Sequence, residues 1–200
     1  MLLFTERVAE PQVDKFEFLF FVTKLHNRMA FTYLIFDLDG TLSEYKTGEI
    51  LPGVTEWFAA LPQDDRPRFA LASNQGGVGL RHWMESEGFG KPENYPSETD
   101  ALTHIAGVLS HLNAGFDIHV CFAYQSKKTG KFNPTPPGKL ASNEWMSVCR
   151  KPEAGMLVLA MENANAAPYE TLMVGDWDED REAAEKAKCD FMDAAEFFGR

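Results

Sequence analysis

Two aspartates stand one residue apart at the end of an apolar run in "IFDLDGTL", residues 35–42. Carboxylates are costly to desolvate without a partner, so Asp37 and Asp39 at such a place need a chemical reason. Other polar groups sit at comparable places. Ser73 and Asn74 end "RFALASN", Asp176 and Asp180 lie in "MVGDWDED", and Lys151 opens the helical pattern that precedes this last run. In open α/β sheets, ligands bind beyond the carboxyl ends of the strands. One acidic turn after one strand is common, but polar clusters after several strands point to a single site.

The elements that must position these groups follow from apolar patterning. β-rich runs cover residues 32–37, 68–73, 116–123 and 171–175, with a short further run from Cys189. Helical patterns lie between them. One has Pro52 as an early residue and Val54, Trp57, Phe58 and Leu61 on one face. A second ends at Gly88, a third opens with Ser97 and Glu98 and closes at Gly115, a fourth starts at Pro152, and a fifth is "EDREAAEKAKC". Strands alternating with helices predict an α/β fold: a three-layer, Rossmann-like parallel sheet with helices on both faces.

The chain has 200 residues, enough for one domain with a sizeable core. Its formal charge of −11 argues against broad, non-specific nucleic-acid binding, which needs a basic face. No apolar run approaches the ~20 residues of a transmembrane helix, and no membrane association is expected. Residues 1–28 are read as an N-terminal extension, loose or docked on the outside, before a domain spanning 29–200. Their patch "FEFLFFV" is short and flanked by acids, a poor fit to a secretory leader, so the expected compartment is the cytoplasm. Cys121, Cys149 and Cys189 are scattered and odd in number, so reduced thiols are expected. Residues 124–151 form a long polar stretch whose Lys127, Lys128, Lys131, Lys139, Arg150 and Lys151 oppose the charge of the whole chain. A stretch this long is functional or disordered. Nothing in the sequence sets the oligomeric state.

"DLDGTL", "LASNQGG", "CRKPEAGM" and "MVGDWDED" resemble, in order, the four motifs of the haloacid dehalogenase (HAD) superfamily. The resemblance covers roughly residues 32–191. The wording "SNQGGVG" and "RKPEAGM" is similar to the capless class III branch, which includes the 3′-phosphatase domain of polynucleotide kinase-phosphatases, histidinol-phosphate phosphatase and heptose-bisphosphate phosphatase. The spacing from Asp39 to Ser73 leaves room for a short flap and one helix, so no large cap is expected there.

The resemblance implies a phosphatase with Mg²⁺. A phosphate monoester is a dianion that repels an attacking carboxylate, and a divalent cation removes that obstacle. Mg²⁺ takes oxygen ligands; Asp37 and Asp176 are the natural carboxylates, with the main-chain carbonyl of Asp39 as the third implied ligand. Asp37 resembles the nucleophile that forms an aspartyl-phosphate, and Asp39 the acid that protonates the leaving group and then activates water. Ser73 and Asn74 resemble donors to the phosphoryl oxygens, and Lys151 supplies positive charge beside a helix start. Asp180 orients Lys151 or a metal-bound water, and Thr41 helps hold the first loop. Lys127 and Lys128 are read as grips for further phosphates. Gly76, Gly77 and Gly79 either open a path for substrate or only shape a turn, and Trp177 is read as a packing residue.

Some class III relatives carry a zinc loop, CxH…CxC. Here the halves read "CFA" and "SVC", each with one ligand kept in Cys121 and Cys149; His119 offers a third, and buried free thiols are the simpler reading. The expected substrate is a small phosphorylated metabolite, a sugar phosphate or a bisphosphate. The alternatives are a 3′-phosphorylated nucleic-acid end, suggested by the branch and the basic stretch, and a non-catalytic protein that keeps the fold. Phosphotransfer to an alcohol shares the same intermediate.

Overall fold

The computed structural model describes residues 31–200 apart from 63 and 65, so the expected extension at residues 1–28 lies outside the described residues. Five parallel strands form the sheet: β1 (Tyr33–Phe36), β2 (Arg68–Asn74), β3 (Phe116–Cys121), β4 (Thr171–Gly175) and β5 (Asp190–Asp193), in the order β3-β2-β1-β4-β5. Six α-helices accompany them among the described residues: α1 (Val54–Ala59), α2 (Gly76–Glu87), α3 (Glu98–Ser110), α4 (Gly155–Ala164), α5 (Asp178–Ala187) and α6 (Ala194–Phe198).

Alternation along the strands divides the core into two layers. Leu34, Phe36, Leu71, Leu172 and Val174 face α1, α3 and α6, joined by Val78 of α2. Tyr33, Ile35, Ala70, Ala72 and Met173 face α4 and α5. The first layer is aromatic, with Phe36 within 6.3 Å, centroid to centroid, of Trp57, Phe58, Phe69, Phe116, Phe197 and Phe198. The second is built of small side chains, Ala160 on α4 and Ala183, Ala184 and Ala187 on α5, which lets those helices lie close to the sheet. Tyr33 reaches across it to donate to the Ala160 carbonyl at 3.1 Å. This is the three-layer α/β arrangement expected from the alternating pattern.

The chain builds outward from β1 through β2 to β3, then crosses back to β4 on the other side of β1. Strand order therefore reverses between β1 and β4, and a crevice opens beyond their carboxyl ends. Among the described residues, a short flap and α1 lie between β1 and β2, with no large cap. Among the described residues no helix is long and apolar enough to cross a membrane.

Some boundaries differ from the sequence pattern. Pro52 precedes α1, with Gly53 as the N-cap at φ 81°. Pro152 does not open α4, which begins three residues later at Gly155. A backbone turn fills the gap, with the Glu153 N–H on the Arg150 carbonyl at 2.8 Å. Residues 124–151 are ordered around short 3₁₀ turns at Asn143–Trp145 and Ser147–Cys149, and Trp145 is buried against Phe122 and His82.

Candidate active site

Asp37 is the first residue past β1. Its N–H still donates to the Val174 carbonyl at 2.9 Å, so the β1–β4 ladder fixes its backbone. Leu38 is fully buried, and Asp39, two residues on from Asp37, lines the same open cleft of about 510 Å³. Asp176, immediately after β4, and Lys151, Asn74 and Asp180 line it too.

Lys151 is the centre of the arrangement. It is 3% exposed, and its Nζ lies 2.6 Å from Asp37 Oδ1 and 2.5 Å from Asp180 Oδ1. Burial alone would lower its pKa, but the two carboxylates overcome burial and push it up to about 12. Asp37 feels the opposite balance. Burial pushes its carboxyl up to about 7, Lys151 pulls it down, and the Asp180 charge adds to the rise. Of the two, the lysine's charge is the firmer assignment, because it has two carboxylate partners whereas Asp37 shares its lysine with a competing acid.

Asp180 has no free oxygen in this network. Its Oδ1 meets Lys151 and its Oδ2 accepts the Trp177 N–H at 3.2 Å. Of the two roles open to it in the sequence, the geometry fits orienting Lys151. Asn74 likewise faces protein: its Nδ2 donates to the Lys151 carbonyl at 2.9 Å and its Oδ1 accepts the Lys151 N–H at 3.0 Å. This two-point clasp positions the lysine and leaves one amide N–H for a ligand. The bond replaces the helix N-terminus expected beside Lys151.

The acids Asp37, Asp176 and Asp180 each place one oxygen within 4.8 Å of the others. With Asp180 engaged by Lys151, Asp37 and Asp176 are the carboxylates best placed for a cation, an all-oxygen donor set suited to Mg²⁺. Burial and the nearby Asp180 charge raise the Asp176 carboxyl. Thr41 reaches from the first loop to donate to Asp176 Oδ1 at 3.3 Å.

Gly40 is required for that approach. It has φ +84°, and a Cβ there would lie 2.1 Å from Asp176 Oδ2. Gly40→Ala must displace Asp176 as well as hold a left-handed backbone, which costs about 1–3 kcal/mol. At about 2–4 °C per kcal/mol for a chain of this size, its melting temperature is expected to fall by roughly 2–12 °C. Thermal denaturation checks this, and an unaltered midpoint would show that Asp176 can step aside freely.

Other expected residues divide. Ser73 is buried and its hydroxyl accepts from Gln75 Nε2 at 2.9 Å. Gln75 also approaches Asp39 Oδ2 at 3.4 Å, linking Ser73 to Asp39. Lys127 lines the cleft, and Lys128 is not among the residues that line it. Gly76 and Gly79 belong to α2 and serve packing: a Cβ on Gly79 would lie 2.2 Å from the Phe122 carbonyl oxygen. Trp177, expected to pack, is 65% exposed and lines the cleft. Cys121 and Cys149 are buried free thiols raised by that burial, and neither joins a group of potential metal ligands among the described residues.

Gln75 sits inside the "SNQGG" motif without a role read for it, and Arg200 carries no sequence signal of its own. Arg200 lies past α6 and donates to the carbonyls of Gly40 at 2.7 Å and Thr41 at 3.2 Å, pinning the loop that carries Asp39. Only a pattern linking the two ends of the domain would have revealed it.

The HAD-hydrolase-like family model matches residues 148–192, the stretch holding Lys151, Asp176 and Asp180. Among solved structures, the chain is similar to D,D-heptose 1,7-bisphosphate phosphatase from B. bronchiseptica, complexed with magnesium and phosphate, at 21% identity and a TM-score of 0.52, over 80% of this chain and 78% of that one. It is also similar to a protein from Mesorhizobium loti described as a HAD-like phosphatase, at 19% identity and a TM-score of 0.51, over 80% and 69% of the two chains. These likenesses establish the fold. No curated protein matches the sequence.

Proposed function

We propose that this chain is a member of the haloacid dehalogenase superfamily and a Mg²⁺-dependent phosphomonoester hydrolase acting through an aspartyl-phosphate on Asp37. The observation that carries this reading is the meeting of Asp37, Lys151, Asp180 and Asp176, from three separate parts of the chain, at the point where strand order reverses. A small phosphorylated metabolite, a sugar phosphate or a bisphosphate, fits an open cleft of this size. The likeness to a heptose bisphosphate phosphatase supports that class.

Magnesium, held by Asp37, Asp176 and the Asp39 carbonyl, would neutralise the repulsion between carboxylate and phosphate dianion. The protein groups do the rest. An Asp37 oxygen attacks phosphorus and the P–O ester bond breaks. Asp39 gives its proton to the departing ester oxygen. Burial raises the Asp39 carboxyl, the direction a general acid needs, with His104 and Gln75 pulling the other way. Asp39 then takes a proton from the water that attacks the aspartyl-phosphate, which releases inorganic phosphate and restores Asp37. Lys151 steadies Asp37 Oδ1 and offers positive charge to the phosphoryl oxygens.

Purified protein is expected to hydrolyse a generic aryl phosphate with MgCl₂ and to lose at least about 100-fold of that rate in excess EDTA, with recovery on adding Mg²⁺. An EDTA-resistant rate would remove the metal from the reading. Silence across a broad phosphoester panel with Mg²⁺ present would remove the phosphatase.

A further inference from the structure

The phosphatase chemistry accounts for the floor of the cleft and leaves its mouth unexplained. Trp177 and Tyr45 both line that mouth and are 65% and 62% exposed. Large aromatic surface left open to water beside a reaction centre marks a binding surface more often than chance exposure.

Both rings are carried on fixed backbone. The Trp177 N–H is held by Asp180 Oδ2 at 3.2 Å, and the other oxygen of Asp180 meets Lys151. The Trp177 backbone therefore lies next to Asp176 and is joined through Asp180 to the lysine that holds Asp37. Tyr45 sits in the flap after β1, closed by the Glu44 N–H on the Glu49 carbonyl at 2.8 Å and the Gly48 N–H on the Glu44 carbonyl at 3.1 Å. Acids accompany both rings: Glu44 precedes Tyr45, Glu179 follows Trp177 by two residues, and both line the cleft. Lys46 Nζ lies 5.3 Å from the centroid of the Tyr45 ring, so this part of the mouth carries both signs of charge, and its carboxylates accept hydrogen bonds from hydroxyls.

We propose that Tyr45 and Trp177 form a leaving-group subsite, which takes a neutral ring while the phosphoryl group sits against Asp37. The substrate class is then a phosphate monoester of a ring-bearing alcohol or phenol, preferred over short acyclic esters. This rests on the phosphatase reading above.

Benzyl phosphate and ethyl phosphate are suitable probes, since both are alkyl esters and differ in the ring. The wild type is expected to prefer the benzyl ester in kcat/KM, chiefly through KM. Trp177→Ala is expected to reduce that preference about tenfold, the scale of losing one stacked ring, and Trp177→Phe to restore most of it. Tyr45→Ala moves the preference the same way. A benzyl-to-ethyl ratio unchanged in Trp177→Ala overturns the subsite, whether or not both rates fall together. If the wild type turns over both esters with no ring preference, the subsite alone fails. If it turns over neither while other phosphoesters are hydrolysed with Mg²⁺, the subsite fails; only silence across the whole panel takes the phosphatase reading with it.

Discussion

Asp37→Asn is expected to lower phosphatase turnover by at least about 10⁴-fold, the scale of removing a covalent nucleophile. Asparagine keeps the shape of the side chain, and its Oδ1 can still accept from Lys151. What is lost is the anion that forms the phosphorus–oxygen bond. The same substitution has a distinct effect on stability. In the fold, burial pushes Asp37 from 3.8 up to about 7. A group raised in this way favours folding fully below 3.8, and that advantage is lost as pH rises through about 7. Asparagine has no proton to lose, so the melting temperature of Asp37→Asn relative to wild type should move in the variant's favour between about pH 5 and pH 8. Steady-state kinetics and thermal denaturation in EDTA check the two halves separately. Turnover within tenfold of wild type would remove Asp37 as nucleophile. A stability difference moving the other way would show that the 2.6 Å contact with Lys151 outweighs burial.

The parts of this site that can be read from sequence are those set by strand ends. Asp37, Ser73 and Asp176 each close or directly follow a β-rich run, and a parallel sheet brings such ends to one edge whatever the strand order. Lys151 is legible through the motif around it. The order of the strands is not, because apolar alternation marks a strand without naming its neighbour. Roles that depend on a tertiary approach are equally hidden. Asn74 has the composition of a phosphate donor, yet the backbone of Lys151, 77 residues away, takes both ends of its amide. Gly76 and Gly79 look like a loop until the segment at Phe122 and Ala123 is found lying against them. In the sequence alone Trp177 reads as a packing residue, because most tryptophans pack. Its exposure follows from its place between Asp176 and the start of α5, where the core layers have already ended.

Lys151→Met is expected to lower kcat about 10²–10³-fold and the melting temperature by about 10 °C. Methionine preserves the apolar stem in a site that is 3% exposed, so packing is little changed. The charge is what disappears, and it leaves Asp37 and Asp180 facing each other in a buried place without a cation of their own. Breaking a buried pair from one side costs about 3–5 kcal/mol, and for a chain this size each kcal/mol moves the midpoint by about 2–4 °C. The lysine's pKa, raised from 10.5 to about 12, makes its contribution fully present below 10.5 and lost as pH rises through about 12. Any narrowing of the gap at lower pH must then come from its partners. Asp37 takes up a proton more readily once Lys151 no longer pulls it down, so the gap should shrink as pH falls toward about 7 from above. Adding Asp37→Asn to Lys151→Met removes one of the two stranded carboxylates, and the double variant should be more stable than Lys151→Met alone. Strict additivity of the two substitutions in denaturation would mean that the lysine and the nucleophile do not share one electrostatic unit.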